Sequence, residues 1–184
     1  MGSNVWWVGP DAESSREMVR PVWMKAEDVL PAIVGLDLVL AHTDAVAIAL
    51  SGLWCYPNGF EFGVSVVLRE PDNHGRLIAH RRHMGATGEP IPPEFLRLGL
   101  QFSNGTKLTN MPAQFGTAIL FPVSATADSR SHRYQYWVWP LPPPGPLAFV
   151  CEWPHFQIGQ TEATIDAGLV LDAAARAVAL WPET

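Results

Sequence analysis

The clearest signal in the chain is the alternation of apolar and other residues over several short segments. The alternation is strictest over 60–68 and recurs over 34–40, 46–50 and 96–102. Because successive side chains of a strand point to opposite faces, each segment predicts a β-strand with one face in the core. The apolar positions of the strictest segment are Phe60, Phe62, Val64, Val66 and Leu68.

Two Asn-Gly pairs stand next to these apolar segments. Asn58-Gly59 precedes the segment 60–68, and Asn104-Gly105 follows the segment 96–102. Asn-Gly is favoured in the tight turns that join neighbouring antiparallel strands, because both residues tolerate a left-handed backbone. The two pairs therefore predict two hairpins and antiparallel pairing.

Two aromatic segments, 134–139 and 147–153, flank the proline-rich stretch 140–146. Proline has no N–H to donate, so the stretch predicts an extended turn and its flanks predict the two strands of a hairpin. Neither flank has a polar side, which is typical of strands that are covered on both faces. One cover is the opposing sheet. The second is the C-terminal helix, the tryptophan-rich N-terminal segment or another molecule, and we expect the helix.

The C-terminal part of the chain predicts one α-helix. Asp166 is a suitable N-cap, and the helix is expected to run to Leu180, since Pro182 ends it. Strands outnumber helices and are joined locally, so the predicted fold class is mainly β: an antiparallel, immunoglobulin-like β-sandwich with a C-terminal α-helix. The apolar stripe of the predicted helix consists of Val170, Leu171, Ala174, Val178 and Trp181.

The other segments are less regular. Residues 1–32 predict an irregular N-terminal segment that packs on the domain through its tryptophan indoles, and residues 33–184 predict the β-sandwich domain itself. Within that domain a short strand is expected over 118–121 and a loop over 124–131. A single domain suits a chain of 184 residues.

Composition and charge narrow the classes of function. The net charge of −6 disfavours nucleic-acid binding, which relies on basic surfaces. No apolar run is long enough to cross a membrane, and the N-terminus has no signal-peptide pattern, so we expect a cytoplasmic protein without membrane contact. The two cysteines, Cys55 and Cys151, are expected to be reduced, buried and inert.

One loop, over 70–94, collects titratable side chains. His80 and His83 have the three-residue spacing of metal ligands on a helical turn. The neighbouring arginines would repel a cation, however, so we predict no metal there, and a solvated basic loop is the simpler interpretation. As a possible binding surface the loop contributes His74, His80, Arg81, Arg82 and His83.

The aromatic strand over 134–139 is the second candidate surface. Its rings could form a stacking platform for a carbohydrate or a single strand, although core packing is the expected role of most of them. Trp137 and Trp139 are retained as possible surface residues. Glu61 and Glu152, which could belong to a carboxylate pair, are expected to face solvent. The chain has neither a glycine-rich phosphate loop nor a nucleophile elbow, so no cofactor and no catalytic residue is predicted.

Several motifs resemble those of one uncharacterised family of actinobacterial proteins. The most specific is Trp137–Pro154, with the sequence WVWPLPPPGPLAFVCEWP. Tyr56–Phe62, Phe102–Gly105 and Asp172–Arg176 are also similar to that family. The resemblance implies a cytoplasmic bacterial protein and carries no established activity, cofactor or site residue.

The absence of a catalytic constellation, the low content of charged residues and the many aromatics favour a non-enzymatic protein-interaction or binding module. Its partner is expected to be a protein, either a second copy or another chain. The alternative is a hydrolase or small-ligand-binding enzyme with its site in the 70–94 loop. A fold of this class does not decide between the two, because sandwiches carry many functions.

Overall fold

The computed structural model describes residues 20–71, 91–111 and 117–181. Within these ranges the chain forms mostly β-strands, together with one α-helix and one 3₁₀ turn. The strands are β1 (Val29–Leu30), β2 (Ala32–His42), β3 (Val46–Tyr56), β4 (Gly59–Leu68), β5 (Arg97–Gln101), β6 (Lys107–Thr109), β7 (Ile119–Ala127), β8 (Ser131–Trp139), β9 (Pro146–Trp153), β10 (Ile158–Asp166) and β11 (Val178–Ala179). The helix α1 spans Gly168–Ala174, and the 3₁₀ turn spans Pro154–Phe156.

Two large antiparallel sheets face each other across one core. The five-stranded sheet has the order β2-β3-β4-β8-β7, and the four-stranded sheet has the order β10-β9-β5-β6. Rings from both sheets meet in the middle: the ring centroid of Phe62 lies 5.3 Å from that of Phe149, edge to face. The mainly β, sandwich-like prediction is therefore confirmed. These strand orders do not confirm an immunoglobulin-like topology, which stays a prediction.

Both Asn-Gly hairpins are confirmed. In the first, Tyr56 pairs with Gly59, so that only Pro57 and Asn58 lie between β3 and β4. In the second, β5 and β6 pair across a turn in which Gly105 has a φ of +86°. The left-handed backbone at Gly105 explains why a residue without a Cβ occupies that position.

The proline-rich stretch 140–146 does not close a hairpin, and that prediction is wrong. β8 pairs with β4 and β7 in one sheet, whereas β9 pairs with β10 and β5 in the other. The chain thus crosses from one sheet to the opposite one between Trp139 and Pro146. Prolines cannot donate the ladder hydrogen bonds that a hairpin would need, and they are compatible with a crossing between sheets.

The C-terminal helix is shorter than predicted, and it does not cover the aromatic strands. It ends at Ala174 instead of Leu180, and it packs mainly against β2 and β3. Beyond it Val178 pairs with Leu30, which places this part of the predicted stripe in a two-stranded sheet. Strand pairing with β1 outweighs the helical propensity of a short apolar segment, since propensity alone stabilises so short a helix only weakly. Trp181 is 72% exposed.

Besides the short strands β1 and β11, two longer strands were predicted only in part or not at all. β7 runs through Ala127, so the segment expected to be a loop over 124–131 belongs largely to the β7–β8 hairpin. Most side chains of β7 are exposed, and an edge strand of this kind has no alternating apolar pattern to reveal it. The pattern also missed β10, whose alternate positions carry the small or polar residues Thr161 and Ala163 before Ile165.

One buried polar side chain, Asn110, ties the short strand β6 to its neighbour. Its Oδ1 accepts a hydrogen bond from the N–H of Leu98 at 2.8 Å, and its Nδ2 donates to the carbonyl of Leu96 at 2.9 Å. The side chain thus continues the ladder beyond the last residue of β6. In the described part of the chain, no helix is long and apolar enough to cross a membrane.

We expect Asn110→Ala to lower the free energy of unfolding by about 2–4 kcal/mol, because it leaves a buried N–H and a buried carbonyl without their partner. Asn104→Ala is the matched control. Asn104 accepts one hydrogen bond from Thr106 in an exposed turn, so its loss should cost no more than about 1 kcal/mol. Urea unfolding of both variants measures the difference, and equal losses would contradict the role assigned to Asn110.

We expect all three tyrosines of the chain to release their protons at a higher pH than a tyrosine in an unfolded chain does. Burial raises the pKa of Tyr134 to about 12 and raises the pKa of Tyr136 further, while burial and the charge of Glu61 raise the pKa of Tyr56. Unfolded tyrosines release their protons near pH 10, so the folded chain should lose stability as the pH rises above that value. Tyrosinate absorbance at about pH 11 should show at most one of the three ionised in the folded chain. Ionisation of all three tyrosines at that pH in a chain that is still folded would contradict this prediction.

Candidate functional site

The outer face of the five-stranded sheet carries the segment 20–28, which lies across β4 and β8. Main-chain carbonyls of the segment make the attachment. The indole Nε1 of Trp137 donates to the carbonyl of Trp23 at 2.8 Å. The side-chain Nδ2 of Asn58 donates to the carbonyls of Val22, at 3.2 Å, and Met24, at 2.7 Å. Because the carbonyls point inward, the side chains of these residues are free to project outward.

This attachment identifies the element that covers the outer side of β8. The N-terminal segment does, not the helix, and Trp137 is only 4% exposed beneath it. The carbonyl of Trp23 makes the hydrogen bond to the sheet, and Trp23 itself is 41% exposed. Anchoring of the N-terminal segment by its indoles stays a prediction, and Trp6 and Trp7 lie outside the described residues. The ring of Trp137 also lies against Gly59, where a Cβ would come within 2.6 Å of it, so glycine is required there.

A buried carboxylate lies under the same segment. Glu61 was expected to face solvent, but it is 3% exposed. It accepts a hydrogen bond from Lys25 Nζ at 2.6 Å and another from Gln135 Nε2. Lys25 also lies over the ring of Tyr56, 5.4 Å from the centroid. The segment therefore supplies the cation without which a charge in this position would be costly to bury.

The pKa of Lys25 reflects the same pairing. Burial acts to lower that pKa, but the hydrogen bond and the charge of Glu61 outweigh burial, and the pKa lies above its ordinary value. A raised lysine pKa means that the contribution of the pair to stability is complete at neutral pH. The contribution is lost as the pH rises through the pKa of the folded chain.

Apolar side chains surround this centre. One row across the sheet joins Ile33, Trp54, Glu61, Trp137 and Phe121, each paired with the next. Ile33 at one end is 64% exposed and Phe121 at the other end is 54% exposed. We call the exposed apolar residues of this region the outer apolar patch; its members are Val22, Trp23, Met24, Ile33 and Phe121.

Only part of the predicted surface falls in the described residues. His74, His80, Arg81, Arg82 and His83 lie in 72–90, outside them. Trp137 is buried under the N-terminal segment, and Trp139 is half-buried beside Ile119.

In the structure the candidate site consists instead of Glu61, Lys25 and the segment 20–28. The sequence carried no signal for these contacts, because nothing in the pattern says which strand the segment crosses. Glu152, the other carboxylate expected in solvent, is partly exposed and pairs with Arg97 at 3.0 Å.

Neither thiol offers a nucleophile. Cys55 and Cys151 are both free and buried. Burial raises the pKa of Cys55 to about 11 and also raises the pKa of Cys151, whose sulfur lies 3.0 Å from Thr161 Oγ1. Thiols with such pKa values are almost entirely protonated at neutral pH.

The described residues bring no three His, Cys, Asp or Glu side chains together in a way that could hold a metal ion. Comparison of the chain with protein-family models, with curated proteins and with solved structures gives no match. What the site does is therefore argued from its own geometry.

A double-mutant cycle tests the buried pair. We expect the coupling free energy between Lys25→Met and Glu61→Gln to be about 1–2 kcal/mol at neutral pH, because the second partner is buried. The exposed pair Arg20–Glu27, 2.8 Å apart, is the matched control, and the cycle of Arg20→Met and Glu27→Gln should give less than about 0.5 kcal/mol. Urea unfolding supplies all four free energies of each cycle. Equal coupling in both cycles would show that Glu61 is solvated.

Proposed function

We propose that the chain is a non-enzymatic interaction module that binds another protein through the outer apolar patch. The observation that carries the proposal is the orientation of the segment 20–28, whose carbonyls at Val22, Trp23 and Met24 are held inward while Val22 is largely exposed and Trp23 and Met24 are partly exposed. Val22 is 75% exposed although the carbonyls of Val22, Trp23 and Met24 are all hydrogen-bonded. A segment that only sealed the sheet would be expected to turn such side chains toward the sheet.

The composition of the patch supports a protein partner. Tryptophan, methionine and phenylalanine are enriched in the cores of protein interfaces, and Trp23, Met24 and Phe121 are all exposed on this face of the sheet. Exposed apolar residues on one face mark interaction sites when they form a patch, and here Val22, Trp23 and Met24 are consecutive in the segment. The charges of Lys25 and Glu61 are paired with each other, and so are those of Arg20 and Glu27 on the same segment.

The charge of the whole chain favours a partner of different sequence over a second copy. Each copy carries −6, so two copies repel each other, whereas a neutral or basic partner is not repelled. The proposed partner therefore presents an apolar surface and has no net negative charge. An immunoglobulin-like arrangement of the sandwich, which stays a prediction, would be compatible with such a role without requiring it.

The alternative function, a hydrolase or small-ligand-binding enzyme with its site in the 70–94 loop, depends on residues that lie mostly outside the described ranges. It stays a prediction. No observation on the described residues favours it over the interaction module.

Site-specific photo-cross-linking in cells tests the proposal. A photoreactive residue at position 22 should give a discrete adduct with a protein of different sequence. The matched position is Lys107, which is exposed on β6 of the other sheet and should not give that adduct. The purified partner should then bind the chain directly, and Trp23→Ala should weaken binding at least tenfold, as is usual for a buried tryptophan at an interface.

The control variant Lys107→Ala should leave the affinity for that partner unchanged. Thermal unfolding of both variants should match that of the parent chain. Adducts between copies alone, the same adduct from both positions, or binding that tolerates Trp23→Ala would each contradict the proposal.

A further inference from the structure

Three turns meet at one end of the five-stranded sheet and line a cavity of about 220 Å³ that is open to solvent. They follow β2, β4 and β7. Main-chain hydrogen bonds connect them: the N–H of Arg69 donates to the carbonyl of Ala45 at 2.8 Å, and the N–H of Leu68 donates to that of Arg130 at 2.8 Å. The cavity walls are therefore fixed by the backbone of the sheet.

The lining combines apolar walls with a cationic rim. Arg69 and Arg130 carry permanent positive charges, Asp44 carries one negative charge, and His42 adds an imidazole. Without the histidine the lining has a net charge of +1, which a single carboxylate would neutralise. Its apolar lining residues are Ala45, Val46, Ala47, Val67 and Leu68, of which Val46 and Leu68 belong to the core and Ala45 and Val67 are exposed.

Arg130 is positioned to receive an anion. Its Nε donates to the carbonyl of Leu68 at 3.3 Å, which leaves both Nη groups available. The nearest carboxylate in sequence, Asp128, is held in its own turn by hydrogen bonds from the main-chain N–H groups of Arg130 and Ser131 and from the Ser131 hydroxyl, and it forms no ion pair with the guanidinium of Arg130. Among the described residues, neither Arg69 nor Arg130 forms an ion pair.

We propose that this cavity binds a small monocarboxylate with a short aliphatic body. The fork of a guanidinium matches the two oxygens of a carboxylate, and the exposed side chains of Ala45 and Val67 can contact the aliphatic part. The volume lies below the range that is usual for drug-sized ligands, which favours a ligand of a few carbon atoms. A dianion such as phosphate would leave the net charge of the site unbalanced.

The site is separate from the outer apolar patch. Glu61 and Leu68 lie seven residues apart on β4, which corresponds to roughly 23 Å along the strand. The proposal therefore does not depend on the proposed interaction function, and either can fail without the other.

Titration with butyrate, followed by the amide signals of the labelled protein at constant ionic strength, tests the site. Butyrate should give saturable shifts confined to residues 43–47, 67–69 and 128–131. Butyramide, which has the same shape and no charge, should bind at least about tenfold more weakly, because the charge-assisted hydrogen bonds are lost. Equal binding of butyramide, or shifts that do not saturate, would overturn the proposal.

Variants of Arg69 and Arg130 test whether these two side chains form the binding site. Arg69→Gln and Arg130→Gln should each weaken butyrate binding by about tenfold. Arg176→Gln, which makes the same change in net charge beyond α1, should leave binding unchanged. If Arg130→Gln disturbs the fold, Arg130→Lys keeps the charge without the fork and should still weaken binding several-fold. An equal loss in Arg176→Gln would show a general charge effect and overturn the proposal.

Discussion

The structure depends on the crossing of the chain between the two sheets over 140–146. This crossing places β8 and β9, which are neighbours in sequence, on opposite sides of one core. Their inner side chains then pack against β4, where Phe62 stacks on Tyr136 with centroids 5.4 Å apart and meets Phe149 edge to face. Packing of this kind at the centre of two sheets buries large aromatic rings, among them Tyr136, Phe62 and Phe149, and contributes to the hydrophobic stabilisation.

The same crossing leaves one face of β8 outside the core, and the N-terminal segment covers that face. β8 lies between β4 and β7, so its outer face bears Trp137 and Gln135 on the side away from the core. An indole there needs a cover and a hydrogen-bond acceptor, and the carbonyl of Trp23 provides the acceptor. Once the segment is in place, Glu61 becomes buried and requires Lys25. The apolar residues that face outward are a consequence of using the main-chain carbonyls of Val22, Trp23 and Met24, and not their side chains, for the hydrogen bonds to the sheet.

The local features of the fold could be predicted from the sequence, whereas the arrangement of its elements could not. The alternation over 60–68 and the pair Asn104-Gly105 report on the backbone nearest to them, and both expectations are confirmed. The sheet to which β9 belongs is decided by long-range packing, which no local pattern records. The shortened α1 shows the same limit, because pairing of Val178 with Leu30 depends on a strand almost 150 residues earlier in the chain.

The candidate site was the least predictable part for a related reason. A glutamate between two phenylalanines, as at Glu61, is typical of a strand with a wet outer face, and the pattern was interpreted in that way. Only the position of the segment 20–28 reverses the interpretation. A partly buried cation 36 residues earlier in the chain leaves no periodic trace in the sequence.

Hydrogen exchange of the Trp137 indole N–H is the most direct measurement of the central claim, that the segment 20–28 is held on the outer face by its carbonyls. The signal can be assigned by its loss in Trp137→Phe. The account predicts slow exchange of this indole in the parent chain and faster exchange in Lys25→Met, which weakens the attachment while the core remains folded. Exchange at the rate of a free indole, with the core amides still protected, would show that the segment does not cover β8 and would contradict the account.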